Sequence, residues 1–318
     1  MVVVSDPGSV WSNAFTLHVG EFGVNDQLVI SNGGAVIDTD GFIGYTLPST
    51  SDNIVKITGP GSLWDNRNDL YIGYNGRGNK MIISNGGTVS NTAGYVGNHR
   101  FSSNNMVIVT GLASLWNCRS NLIVGCGDSS NVLMITDGRM VQSANCSIGF
   151  GADLSNTAVV AGPGSTLAIQ TDLWIGNQSV DNRLLVTSSA IVEASNLLIG
   201  YFFPNYTVGN TVVIDSSSII ATNLVDVRQG LILFSSGLLT TSALWLTNGA
   251  QSQITFTGGT LQSGGTIHNT GSPLTVGGSA ILAKFEMTGN GSHVSRCGHW
   301  ATDPKRSINL KQRQRDGD

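Results

Sequence analysis

One apolar residue returns about every 26 positions along this chain of 318 residues: Val4, Ile30, Ile57, Ile83, Val109, Ile135, Val160, Val186 and Ile214, with Phe234 and Phe256 continuing at shorter steps. Whole phrases return with it. LVISNGGAV (28–36) reappears as MIISNGGTV (81–89), and VKITGPGSLW (55–64) as VIVTGLASLW (107–116) and VVAGPGSTL (159–167). A fixed period in this range restricts the fold to a solenoid, a propeller or a similar array.

Two further ladders accompany the anchors. Six residues after each lies Val10, Val36, Leu63, Val89, Leu115, Val141, Thr166, Val192 or Ile220. A third series, Val19, Ile43, Ile72, Val96, Val124, Ile148, Ile175 and Ile199, immediately precedes a glycine. Those glycines step by 24, 29, 24, 28, 24, 27 and 24, so the genetic unit is a pair of coils, about 52 residues. Each 26-residue unit therefore holds three short runs of β-branched residues at alternate positions, the pattern of strands. Gly, Asn, Ser and Asp between them supply turns. Three such strands bury nothing alone, but stacked coil on coil they share one continuous core. The sequence predicts an all-β protein, a right-handed parallel β-helix of about 11 coils. A β-propeller needs four strands per blade of about 45 residues, and the 52-residue pair fits it badly.

Composition narrows the function. Charged residues are 11% of the chain and the net charge is −4, which disfavours a nucleic-acid binder needing a basic face. No apolar run reaches the roughly 18 residues of a membrane span. The repeat region, 1–295, carries a charge of −7, whereas 296–318 carries 6 basic and 3 acidic residues with no apolar period, and is expected to be a disordered tail. MVVVSDPGSVW has no basic start, apolar stretch or cleavage site of a secretory signal. Its Val2–Val4 already reads as a first strand without a capping unit, which suggests a piece of a longer protein.

The cycle GSVW…LHVG…LVISNGGAV…FIG, then GSLW…LYIG…MIISNGGTV…YVG, then ASLW…LIVG resembles the repeats of bacterial autotransporter passenger domains and of PEP-CTERM-associated surface proteins, over about residues 3–265. The resemblance implies an extracellular or cell-surface segment with a structural or adhesive role; the dispersed carboxylates add the expectation of no enzymatic activity and no cofactor, and surface glycans or matrix components are the expected partners. The competing reading is a polysaccharide-active enzyme or glycan-binding module on the same scaffold.

Candidate sites are few. Glycoside hydrolysis requires paired carboxylates on one groove, and calcium requires clustered oxygen ligands. The nearest feature is Asp38-Thr-Asp40, which reads as a solvated turn. His293, Cys297 and His299 form a sparse group short of a four-ligand zinc site; no catalytic or metal-binding residue is assigned. His18, His99 and His268 read as isolated surface or loop residues. Cys118, Cys126, Cys146 and Cys297 contain no CxxC pair and read as small hydrophobes or inert thiols, with disulfides the alternative.

Trp11, Trp64 and Trp116 each fall one residue after the second ladder, which by strand parity points them outward. At two-coil spacing they suggest a glycan-stacking track, or alternatively covers over the glycine-rich turns of neighbouring coils. A second outward set comprises Val29, Ile82, Ile108, Met134, Val159, Leu185, Val213 and Leu233, interrupted by Lys56. Two roles fit this stripe: an interface, or a surface covered by the long loops of alternate coils.

Overall fold

The computed structural model describes residues 1–151, 155–201, 207–278 and 282–295, together with the backbone of two short strands, Ala301–Thr302 and Ile308–Leu310. The chain is a parallel β-solenoid of about 11 turns. The first strand of every coil enters one sheet of 13 strands, and the second and third strands form a continuous sheet of 22. Twelve spacings of about 4.8 Å make a rod roughly 58 Å long.

The anchor column forms as its period requires. Val4, Ile30, Ile57, Ile83, Val109 and Ile135 pair in unbroken parallel register. All but Val4, in the end coil, are fully buried. Leu28, Val55, Met81 and Val107, two residues earlier, point the same way and double the column. The third ladder also stacks, with Val19, Ile43, Ile72, Val96 and Val124 in register.

The second ladder is different, and the difference is one residue. The turn after the first strand is Asn32-Gly33-Gly34 in one coil but Gly59-Pro60-Gly61-Ser62 in the next. A six-residue count therefore lands inside in one coil and outside in the following one, because a shift of one residue exchanges the faces of a strand. Val36, Val89, Val141 and Val192 are interior, whereas Val10, Leu63, Leu115, Thr166 and Ile220 face outward. Their places in the interior column are taken by Trp11, Trp64, Trp116, Leu167 and Ile219.

A further column has no apolar member. Asn53, Asn79, Asn105, Asn131, Asn156, Asn182 and Asn210 lie fully buried at the corner leading into the first sheet. Each amide Oδ1 from Asn79 onward accepts both the backbone N–H and the side-chain Nδ2–H of the asparagine one coil before it. Asn105, for example, accepts at 2.9 and 3.1 Å from Asn79 and donates at 3.0 and 3.2 Å to Asn131. The ladder satisfies the polar backbone where the chain bends, a place where buried N–H groups would otherwise lack partners. The glycine column packs against it. Gly97 has φ +77°, and a Cβ there would lie 2.3 Å from the Asn131 amide, so both conformation and space demand glycine.

Within 296–318, expected to be disordered, Ala301–Thr302 and Ile308–Leu310 pair with Thr275–Val276 and with part of Ala283–Met287. Open strand edges at the end of the solenoid template this continuation despite the high local charge. The rest of that segment lies outside the described residues.

Candidate functional site

The expected tryptophan track is not on the surface. Trp64 and Trp116 are fully buried, and Trp11 is 37% exposed because it sits in the first coil, paired on one side only. The extra turn residue rotates each ring inward. Trp64 Nε1–H donates to Asp38 Oδ2 at 2.7 Å and Trp116 Nε1–H to Asn91 Oδ1 at 2.7 Å. The rings do cover glycine, but from within: a Cβ on Gly94 would lie 2.7 Å from the Trp116 ring. The glycan-stacking role of this column is therefore dropped.

Asp38 is likewise not a solvated turn residue; it is fully buried. Its column runs Asp38, Asn66, Asn91, Cys118. Asp38 Oδ1 and both side-chain polar atoms of Asn66 have no partner among the described residues. Burial pushes the Asp38 carboxyl up to about 7, opposed by the Trp64 hydrogen bond and assisted by the charges of Asp40 and Asp65. A folded-state value above the ordinary one favours the protonated fold. That stability is complete below about pH 4 and is lost as pH rises through about 7. Asp38→Asn should accordingly flatten the decline, with a gain of roughly 2 kcal/mol at pH 8 and little change at pH 4. Urea midpoints of both proteins across that range measure it; parallel curves would show that Asp38 does not carry the effect.

An aromatic ridge occupies the outside of the same coils. His18, Phe42, Tyr71 and Tyr95 are the middle residues of Leu17–Val19, Gly41–Ile43, Leu70–Ile72 and Gly94–Val96, whose flanking residues point into the core. Alternation turns them outward, and the parallel register sets them in one line; His18, Tyr71 and Tyr95 are partly exposed, whereas Phe42 is buried beneath the rings of His18, Tyr45, Tyr71 and Tyr74. Phe42 stacks on Tyr71 at 4.9 Å and Tyr71 on Tyr95 at 4.8 Å, with their ring planes nearly parallel. Tyr45, Tyr74 and His99 form a second row, with Tyr74 edge-on to Tyr71 at 5.2 Å and to His99 at 4.7 Å. His18 and His99, expected to be isolated, are members of this cluster.

Two carboxylates border the ridge. Asp40 Oδ1 accepts from the Asp69 backbone N–H at 3.1 Å, and Asp69 Oδ1 from the Ala93 N–H at 2.9 Å. Tyr71 Oη–H donates to Asp69 Oδ2 at 3.3 Å. Burial raises the Tyr71 phenol well above its ordinary value, and Asp69 raises it further; burial followed by Asp69 does the same for Tyr95. Both hydroxyls therefore stay protonated at neutral pH. The surface offers ring edges, phenolic hydroxyls and carboxylate acceptors over four coils, a combination suited to the mixed apolar and hydroxylated surface of a sugar.

The other candidates are dispersed. The stripe from Val29 to Leu233 stacks on the outer face, broken only at Lys56 between Val29 and Ile82, and each apolar member is at least partly exposed. His268 is buried, with Thr270 Oγ1 at 2.9 Å and Ser295 Oγ at 3.1 Å on its two ring nitrogens; it is not a surface residue. His293 Nδ1 lies 3.1 Å from Thr266 Oγ1, while Cys297 and His299 lie outside the described residues. Cys118 and Cys146 are buried free thiols and Cys126 is partly exposed. Among the described residues no three His, Cys, Asp or Glu side chains are grouped as metal ligands, and no helix is long and apolar enough to cross a membrane. Comparison with protein families, curated proteins and solved structures returned no match.

Proposed function

We propose that this chain is a non-enzymatic structural and adhesive segment of a bacterial cell-surface or secreted protein, acting outside the cell. The repeat phrases, similar to those of autotransporter passengers and PEP-CTERM-associated proteins, support this reading. The observation that carries it is the ridge formed by His18, Phe42, Tyr71, Tyr95 and the second row beside them: a fixed aromatic and carboxylate surface on a rigid rod. Its partner is a neutral surface glycan or a matrix polysaccharide, held by ring contacts and by hydrogen bonds to Asp40 and Asp69. Weak contacts repeated along a rigid support add through effective concentration.

The test is binding of the purified chain to a panel of immobilised polysaccharides. Tyr71→Ala combined with Tyr74→Ala should weaken binding at least about tenfold, the scale of one or two lost aromatic contacts, while the far-UV spectrum keeps its β signature. Retention unchanged by the double substitution would remove the ridge from adhesion. Polysaccharide cleavage abolished by Asp69→Asn would instead favour the enzyme reading.

A further inference from the structure

We infer that the apolar stripe on the first sheet is the contact surface for a second copy of this chain, two rods packing antiparallel, face to face. This does not depend on the adhesive reading. The uninterrupted part runs from Ile82 to Leu233 as seven consecutive rungs without a register shift. Met106 and Val132 widen it on one side. On the other lies a hydroxyl ladder, with Ser84 donating to Thr58 at 3.0 Å, Thr136 to Thr110 at 3.1 Å, and Thr110 to the neighbouring Asp137 Oδ2 at 2.7 Å.

Three arguments select a second copy as the occupant. Seven rungs at about 4.8 Å and three columns at about 6.6 Å cover roughly 650 Å², inside the roughly 600–1,000 Å² per partner of a specific interface. The second argument is pitch. Side chains repeating once per coil stay in step over seven rungs only with a surface of the same repeat, which another copy has by construction.

The third is charge. The charged residues in the three columns over these coils are Lys80, Arg183 and Asp215, and Lys56 closes the stripe on the rung just before Ile82. With the rods parallel about a two-fold axis, Lys56 would face its own equivalent. A two-fold axis along the strands through Val159 avoids this. It sets Ile82 against Leu233, Ile108 against Val213 and Met134 against Leu185. Lys56 then meets Thr255, Lys80 meets Leu231, Arg183 meets Val132 and Asp215 meets Thr110, so no two charged residues of these columns face each other; the nearest like charge to Asp215 is Asp137, which stands beside the column and accepts from Thr110. Aligned sheets pack this way at about 10 Å.

Sedimentation velocity over a concentration series of the whole chain tests the inference. The expected species is a dimer. Val159→Glu, which places two carboxylates at the axis, should weaken it roughly a hundredfold. Ile82→Lys and Leu233→Glu should each weaken it, and the two combined in one chain should restore it, because those positions face each other. All three sites point outward, so circular dichroism should remain that of the wild type. A monomer at about 1 mM, a dimer indifferent to Val159→Glu, or a double variant no tighter than the single ones would each overturn the inference.

Discussion

Asn105→Ala should destabilise the rod by roughly 4–6 kcal/mol. The side chain lies in the middle of the asparagine ladder, and its removal strands several groups at once. Asn79 loses the acceptor for its N–H and the nearer acceptor of its Nδ2, which keeps only the Thr50 carbonyl at 3.4 Å. The carbonyls of Gly76 and Ser102 lose the Asn105 Nδ2 donor, at 3.2 and 2.7 Å. A buried group left unpaired costs about 1–3 kcal/mol, and several are affected. Because each coil contacts only its neighbours, the defect should open the rod locally before the ends respond. Chemical denaturation gives the magnitude, and hydrogen exchange at Asn79 and nearby amides gives the place. A cost under about 1 kcal/mol would mean that water replaces the amide and that the ladder contributes little.

Trp116→Ala should cost about 3–5 kcal/mol, the range for emptying a large aromatic site in a packed core. The ring fills the interior between Val89 and Val141 and closes over Gly94. Trp116→Phe should cost less, because it keeps most of the volume and loses chiefly the hydrogen bond to Asn91. Melting curves of the two variants separate packing from hydrogen bonding. An alanine variant that melted with the wild type would contradict the interior placement. An exposed track would behave oppositely, with ligand binding lost and stability kept.

The anchor and glycine-preceding columns could be read from sequence because a strictly periodic apolar residue has one economical explanation, burial against its own repeats. Strand parity alone puts the tryptophans on the wrong face, because parity depends on a turn length that differs by one between adjacent coils. Gly59-Pro60-Gly61-Ser62 and Asn32-Gly33-Gly34 look like equivalent turns until the strands they join are seen in register. The asparagine ladder was visible in principle: Asn53, Asn79, Asn105 and Asn131 each stand four residues before an anchor. A polar residue between glycines and charges reads as a loop, and only the stack shows that its amide serves the coil beside it. Asp38 escaped for a related reason, since nothing near it in sequence announces the indole that covers it. The ridge residues His18, Phe42, Tyr71 and Tyr95 precede the third ladder in plain sight, but their ring contacts emerge only when steps of 24 and 29 residues are folded onto one rung spacing.

The interior order Trp11, Val36, Trp64, Val89, Trp116, Val141 sets large against small at every step. Excising the single coil that carries Val89 would drive the indoles of Trp64 and Trp116 into the same space, about 5 Å apart; excising the coil that carries Trp64 would put valine on valine around a void. Removal or duplication of two coils together re-forms each contact. In this part of the chain the rod is therefore quantised. Recombination between its repeats can lengthen or shorten it only in increments of about 52 residues, each about 10 Å, so that reach can vary while the interior of every surviving molecule stays the same.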